Sequence, residues 1–247
     1  MLFHASIFVF ALVFWGLLEA IAATPIGSPA FSIVLLGGIL WVSRRFGGTL
    51  VSAIIPTFFS LSTIVLLFFI SSPQQRHIFI VLGSIVFYVS ILGIYRLRHY
   101  SRDSTARSMV ALVSMTTLFF FFSALYGVFL NFRNFTEVTL MISYGVGTFL
   151  VGLQVFSRFF PEQPKRFWFF SLFFSLCAAE IGWVASFWPF GYLTAGVLVL
   201  ILLSIPWDMI TRFSSGSVSG RRVAASLVFL FFLLSMVLLS SVWLPVV

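Results

Sequence analysis

The chain has 247 residues, 61% of them hydrophobic and only 8% charged, with a mean hydropathy of +1.15. Soluble domains carry about 25% charged residues, and surface-to-volume scaling leaves a water-soluble fold of this length no way to hide so much apolar side chain. A net charge of +8 and a pI near 10.6 suit nucleic-acid binders, but the basic residues fall in short gaps between apolar runs, which points to membrane topology and excludes nucleic acid.

A helical span needs about 20 residues, within a range of about 17–25. Runs of that kind are predicted at 3–23, 28–43, 49–71, 77–95, 109–130, 138–157, 167–187, 190–206 and 223–246. The expectation is an all-α integral membrane protein, one polytopic domain over 1–247 with nine transmembrane helices. The first run has the small-x-small look of a signal-peptide cleavage site at Ala20-Ile21-Ala22. No Lys or Arg precedes it and Glu19 adjoins it, so it is read as a retained helix. The second and eighth runs are the shortest, and either is expected to tilt little, to be re-entrant or to need a locally thinned bilayer. Pro56 is expected to kink the third span, because its ring removes an intrahelical hydrogen bond. Trp188-Pro189-Phe190-Gly191 predicts an abrupt turn and a tight hairpin between spans seven and eight. The gaps at 96–108 and 207–222 are too short to fold alone, and Ser214, Ser215, Gly216, Ser217, Ser219 and Gly220 read as a flexible link.

Charge counting assigns an orientation. With the N-terminus inside, the cytoplasmic gaps hold Arg44, Arg45, Arg96, Arg98, Arg102, Arg107, Arg158, Lys165, Arg166, Arg212, Arg221 and Arg222. The outer gaps hold only Arg76 and Arg133. That alternation follows the positive-inside rule and puts the C-terminus outside. The predicted location is the cytoplasmic (inner) membrane, and the basic inner face suits anionic lipid headgroups. Glu19 with Pro25 and Gly27, and Glu180 with Pro189 and Gly191, make two similar hairpins, a weak echo of the repeats from which transporters are built.

Few residues in the spans carry chemistry. Glu180 sits about three residues past the middle of span seven, where a carboxylate costs several kcal/mol unless paired, hydrated or protonated. Two readings stand side by side: a functional carboxylate, or a hydrogen-bonded fastener between helices. Helical spacing places Cys177 and Trp183 on the same face, the thiol read as packing and the indole as a donor to a helix or ligand. Glu19 lies near the outer headgroup level of span one, with Trp15 one turn below. Arg76, Arg133 and Glu137 share that side, so Glu180, Trp183, Glu19, Trp15, Arg76, Arg133 and Glu137 form the candidate outward-opening binding site. Gly145, Gly147 and Gly152, and Gly191 with Ala195, are expected to let helices approach closely.

Other chemistry is set aside. The 34 Phe read as lipid-facing filler, and the single cysteine, Cys177, excludes a disulfide framework. His4, His77 and His99 have no ligand spacing, so no metal or cofactor is predicted. No Gly-rich phosphate loop, GxSxG or DxxD pattern occurs, and no lysine lies within a span. Hydroxyls such as Ser60, Ser62, Ser114 and Ser143 are expected to bond the backbone one turn back.

The stretch Ala179-Glu180-Ile181-Gly182-Trp183, running on through Phe187-Trp188-Pro189-Phe190-Gly191-Tyr192, resembles a family of small uncharacterised polytopic membrane proteins from candidate-phyla (Patescibacteria-type) bacteria. The similarity covers about the last third of the chain. It implies a bacterial cytoplasmic membrane and draws attention to Glu180, but no activity. Sparse intramembrane polarity and short loops favour a non-enzymatic structural or assembly component, packed against a membrane-protein partner or against copies of itself. A small-solute or lipid transporter is the alternative, and a lipid-modifying membrane enzyme the third reading.

Overall fold

In an apolar surrounding a backbone N–H or C=O has no water to bond, so long apolar runs close their hydrogen bonds within a helix. The computed structural model describes residues 2–24, 28–100, 103–159, 164–215 and 220–240, and among them every element is helical. In chain order these are α1 (Leu2–Ala23), α2 (Ser28–Gly47), a 3-10 turn (Leu50–Ala53), α3 (Ile54–Phe69), α4 (Pro73–His99), α5 (Ser104–Asn131), α6 (Glu137–Phe159), α7 (Pro164–Ser186), α8 (Tyr192–Ser215) and α9 (Gly220–Ser240). Eight of them, α1 to α8, are long and apolar enough to cross a membrane (the 3-10 turn counted with α3), while the apolar stretch of α9, Ala224–Ser240, is shorter. Pro25, Gly27, Arg102, Glu162, Gly216, Ser217 and Ser219 lie outside the described residues, and with Pro25 and Gly27 goes half of the hairpin echo.

Three helices differ from expectation. α2 runs to Gly47 and takes Arg44 and Arg45 into its last turn, where cations suit the negative end of the helix dipole. α8 does not stop at Pro206 but continues to Ser215. Proline deletes one hydrogen bond and crowds one carbonyl, and with the remaining ladder intact the helix carries on. Neither the second nor the eighth span is therefore short. Pro56 breaks no helix from within, since it is the third residue of α3, just after the 3-10 turn. First-turn N–H groups lack an intrahelical partner anyway.

The chain divides into two compact units, Met1–Phe120 and Phe121–Val247. In the first, α1 packs against α2 and α4 around an aromatic core. Phe14 stacks on Phe87 at 4.3 Å, and Phe120 stacks on Phe59 at 5.3 Å and on Phe79 at 5.2 Å. Such ring pairs contribute about 0.5–1.5 kcal/mol beyond their buried area. α2 ends at Gly48, whose φ of +78° is the left-handed exit that favours glycine. The Arg98 guanidinium closes that end, donating to the Arg45 and Phe46 carbonyls at 3.0 and 3.4 Å. The C-termini of α2 and α4 therefore share one end of the unit. Asp103 begins α5 as a cap: Oδ1 accepts from the Ala106 N–H at 3.2 Å, and Oδ2 pairs with Arg96 at 2.6 Å.

In the second unit α6 and α7 lie antiparallel and very close. Gly145 faces Ser175 and Ala179, and Gly152 faces Ser171. Ser175 donates across the seam to the Gly145 carbonyl at 2.7 Å. Small residues bring apolar helices into backbone-level contact where no hydrophobic drive operates. Gly147 makes room for the Phe121 ring and Gly196 for Ser123, whereas Gly191, expected to serve close approach, has nothing near its Cβ position. Buried Tyr144 donates to the Phe122 carbonyl at 2.8 Å. Tyr126 donates to the Trp188 carbonyl at 3.0 Å, fastening the sharp turn between α7 and α8. That turn has the form the sequence predicts, with Phe190 buried beneath it.

Two predictions follow from these contacts. A Cβ at Gly182 would lie 2.2 Å from the Tyr144 ring, and that ring is held by its own hydrogen bond. Gly182→Ala is expected to cost about 1–3 kcal/mol of stability by overpacking. Gly37→Ala, where a Cβ meets nothing within 4 Å, should be neutral or slightly stabilising; unfolding of both variants in detergent compares them directly. The second concerns pH. The Ala106 N–H and, against some desolvation, Arg96 hold the Asp103 carboxyl below its ordinary 3.8. A carboxyl lowered on folding contributes stability that is complete above 3.8 and is lost as pH falls through the folded-state value. Asp103→Asn should therefore lower the thermal midpoint at pH 7, and the gap from the parent chain should close in acid below 3.8.

Candidate functional site

Within the first unit the antiparallel packing of α1 and α4 brings the end of α1 onto the start of α4. Glu19 Oε1 lies 2.9 Å from His77 Nδ1, a pair separated by 58 residues of chain. Arg76 reaches back across the same end. Its Nη1 donates to the Ala22 carbonyl in the last turn of α1 at 3.4 Å, and its Nη2 to the Ile70 carbonyl just past α3 at 2.8 Å. Those carbonyls belong to chain ends without helical partners, so one guanidinium ties three segments together. Its buried Nε has no partner among the described residues. Trp15, one turn before Glu19, is exposed on the same helix.

Below this charged end a half-open groove of about 560 Å³ runs between α1 and α4. Phe8, Leu12 and Trp15 line one wall, and Val81, Ile85 and Tyr88 the other. At the far end Phe8 and Tyr88 meet edge to face at 6.4 Å. Ser84, also in the lining, donates to the Ile80 carbonyl and leaves the floor apolar. A second groove of about 420 Å³, between α8 and α9, is lined by aliphatic and Phe side chains alone.

The remaining candidates lie in the second unit, and the structure does not assemble them into one site. Glu180 is exposed on α7 and makes no hydrogen bond or ion pair with a described residue. It lies about 7 Å of helical rise beyond the α7 midpoint, somewhat nearer the helix end than the sequence placed it. Trp183, 48% exposed, shares its face with Leu176, Val184 and Phe187. Cys177 borders that face and is partly covered. Arg133 and Glu137 are exposed in the link from α5 to α6 and in the first turn of α6. Glu137 there suits the positive end of the α6 dipole, and Thr136 caps the helix by accepting from the Thr139 N–H. Neither residue pairs with Glu180.

Sequence reasoning missed His77 as the partner of Glu19. A usable signal was present: the glutamate near the end of span one and the histidine at the start of span four share one end of an antiparallel pair. It also passed over Gln154, a buried amide inside α6, whose only signal is an amide in an apolar run. Ser60, Ser62 and Ser114 bond the carbonyl one turn back as expected. Among the described residues no three His, Cys, Asp or Glu gather in a way that would hold a metal ion. Comparison with family models, with characterised proteins and with solved structures found no match to this chain.

Proposed function

We propose that the chain is a non-enzymatic component of a membrane assembly, docked to a partner through the Glu180 face of α7. In this reading it crosses the cytoplasmic membrane nine times, α9 included, with its N-terminus inside. Lys and Arg positions support that orientation, since Arg76 and Arg133 alone depart from the inner side. Packing within the first unit agrees with the alternation: Glu19 and His77 share one end, and Arg45 and Arg98 share one end.

The carrying observation is the position of Glu180. A half-bilayer core is about 15 Å deep, so a carboxylate about 7 Å from the helix midpoint lies within it. An unpaired carboxylate facing acyl chains is costly, and neither groove reaches Glu180. A second membrane protein that presents a hydrogen-bond donor or a cation to Glu180 removes that cost. Trp183 adds an indole N–H and a broad apolar surface, the residue type that dominates interface energetics.

Because Glu180 is exposed and makes no hydrogen bond or ion pair with a described residue, Glu180→Leu should leave expression and thermal stability of the isolated protein intact. It should weaken the complex by about 1–2 kcal/mol, the range of interhelical polar contacts in membranes. Native electrophoresis of mildly solubilised membranes, with a photocrosslinker at Val184, reads this as a loss of the slow-migrating, crosslinked species. A parent chain that migrates as a monomer, or a Leu variant that crosslinks as well as the parent, overturns the proposal.

A further inference from the structure

We propose that the groove between α1 and α4 seats one acyl chain of a zwitterionic, primary-amine phospholipid, whose headgroup is held at the Glu19–His77 end. The inference rests on the chain being membrane-embedded and is independent of docking at α7. Three features of the groove define its occupant. Its walls are apolar over about 10 Å of helical rise from Phe8 to Trp15, and that length runs along the helix axes, the direction in which an acyl chain lies. Its deep end is flanked by the edge-to-face ring pair of Phe8 and Tyr88, apolar surface that suits the end of an acyl chain. Its open end leads, one helical turn beyond Trp15, to a carboxylate beside two basic groups, Glu19 with His77 and Arg76. Burying methylenes contributes about 0.8 kcal/mol each, which holds the tail. The rim then selects the head. A primary ammonium donates to the Glu19 carboxylate while the phosphate faces the Arg76 charge. An anionic headgroup with no amine would set its charge against Glu19, and a quaternary ammonium offers no N–H to donate. The groove between α8 and α9 is equally apolar, but the carboxylate beyond its Ile205, Asp208, is taken by the Arg212 guanidinium at 2.6 Å, so filling that groove serves as a control.

The full chain in mild detergent, titrated with phosphatidylethanolamine, phosphatidylglycerol or phosphatidylcholine and read by native mass spectrometry, tests this. One tightly retained phosphatidylethanolamine is expected, preferred over the other two by about fivefold, the scale of a single exposed charge pair. Ser84→Phe fills the groove and should abolish that bound lipid, while Val228→Trp in the α8/α9 groove should not. Glu19→Gln should keep a bound lipid but erase the headgroup preference, which gives a readout that survives if Ser84→Phe lowers the thermal midpoint. Equal retention of all three lipids by the parent chain overturns the proposal. So does a Glu19→Gln variant that keeps the preference, or a crosslinker at Val81 that captures a second copy of the chain in place of lipid.

Discussion

Every described element answers the same demand, that backbone polar groups be satisfied where water is scarce. Helix interiors meet it automatically, so the chain's few charges gather where helices end and carbonyls or N–H groups have no helical partner. Arg98 closes the carbonyl end of α2, Arg76 bonds carbonyls at the ends of α1 and α3, and Asp103 caps the first turn of α5. Arg212, in the last turns of α8, pairs with Asp208 and reaches Ser226 of α9. The arginines that topology alone would explain thus also hold the ends of the helices. An argument from net charge to lipid affinity must discount those whose hydrogen bonds are already engaged.

Within the helices the same scarcity changes what packing means. Lipid is as apolar as Leu, so helices gain little by hiding apolar side chains from it. The first unit answers with stacked rings, the second with small residues along α6 and α7 and with the Ser175 hydroxyl, which bonds a carbonyl across the seam. These are two solutions to one problem. Rings fill space between helices held apart, and glycines remove the space.

How far the sequence could be read follows from these rules. Span positions and the α7–α8 turn were legible because they depend on local runs of apolar residues and on Pro and Gly. Helix ends were not: the eighth apolar run ends at 206, yet the one hydrogen bond missing at Pro206 does not end a helix whose other bonds are intact. Pro56 reads as a kink, yet it falls in a first turn where nothing is lost. The candidate site was half legible. Its residue types were picked out by their rarity in apolar runs, but which of them meet depends on helix rotation, which a mixed apolar surface does not encode. Glu19 and His77 meet because α1 and α4 pack antiparallel with facing registers, a fact 58 residues of intervening chain conceal. The Gly145–Ser175 seam was legible on one side only, since glycine in a span signals close approach but does not name what approaches.

Glu19 and Glu180 show most clearly what the structure adds. Both are glutamates near the ends of long apolar helices, each about 7–10 Å beyond its helix midpoint. Sequence singles out Glu180 as the deeper residue and reads Glu19 foremost as a solvated carboxylate near the outer headgroups. In the structure Glu19 is largely covered and finds an imidazole within its own unit, so its charge is already answered and any ligand it holds is held by a pre-ordered pair. Glu180 stands on an exposed face with no hydrogen bond or ion pair to a described residue. A carboxylate answered from within is already paired, whereas one left open at similar depth must be hydrated, protonated or paired from outside. The two proposed sites divide along that line: the small amphiphile at the end of α1 and α4 joins a pair already in place, and the helix proposed at the face of α7 supplies the pair that Glu180 lacks.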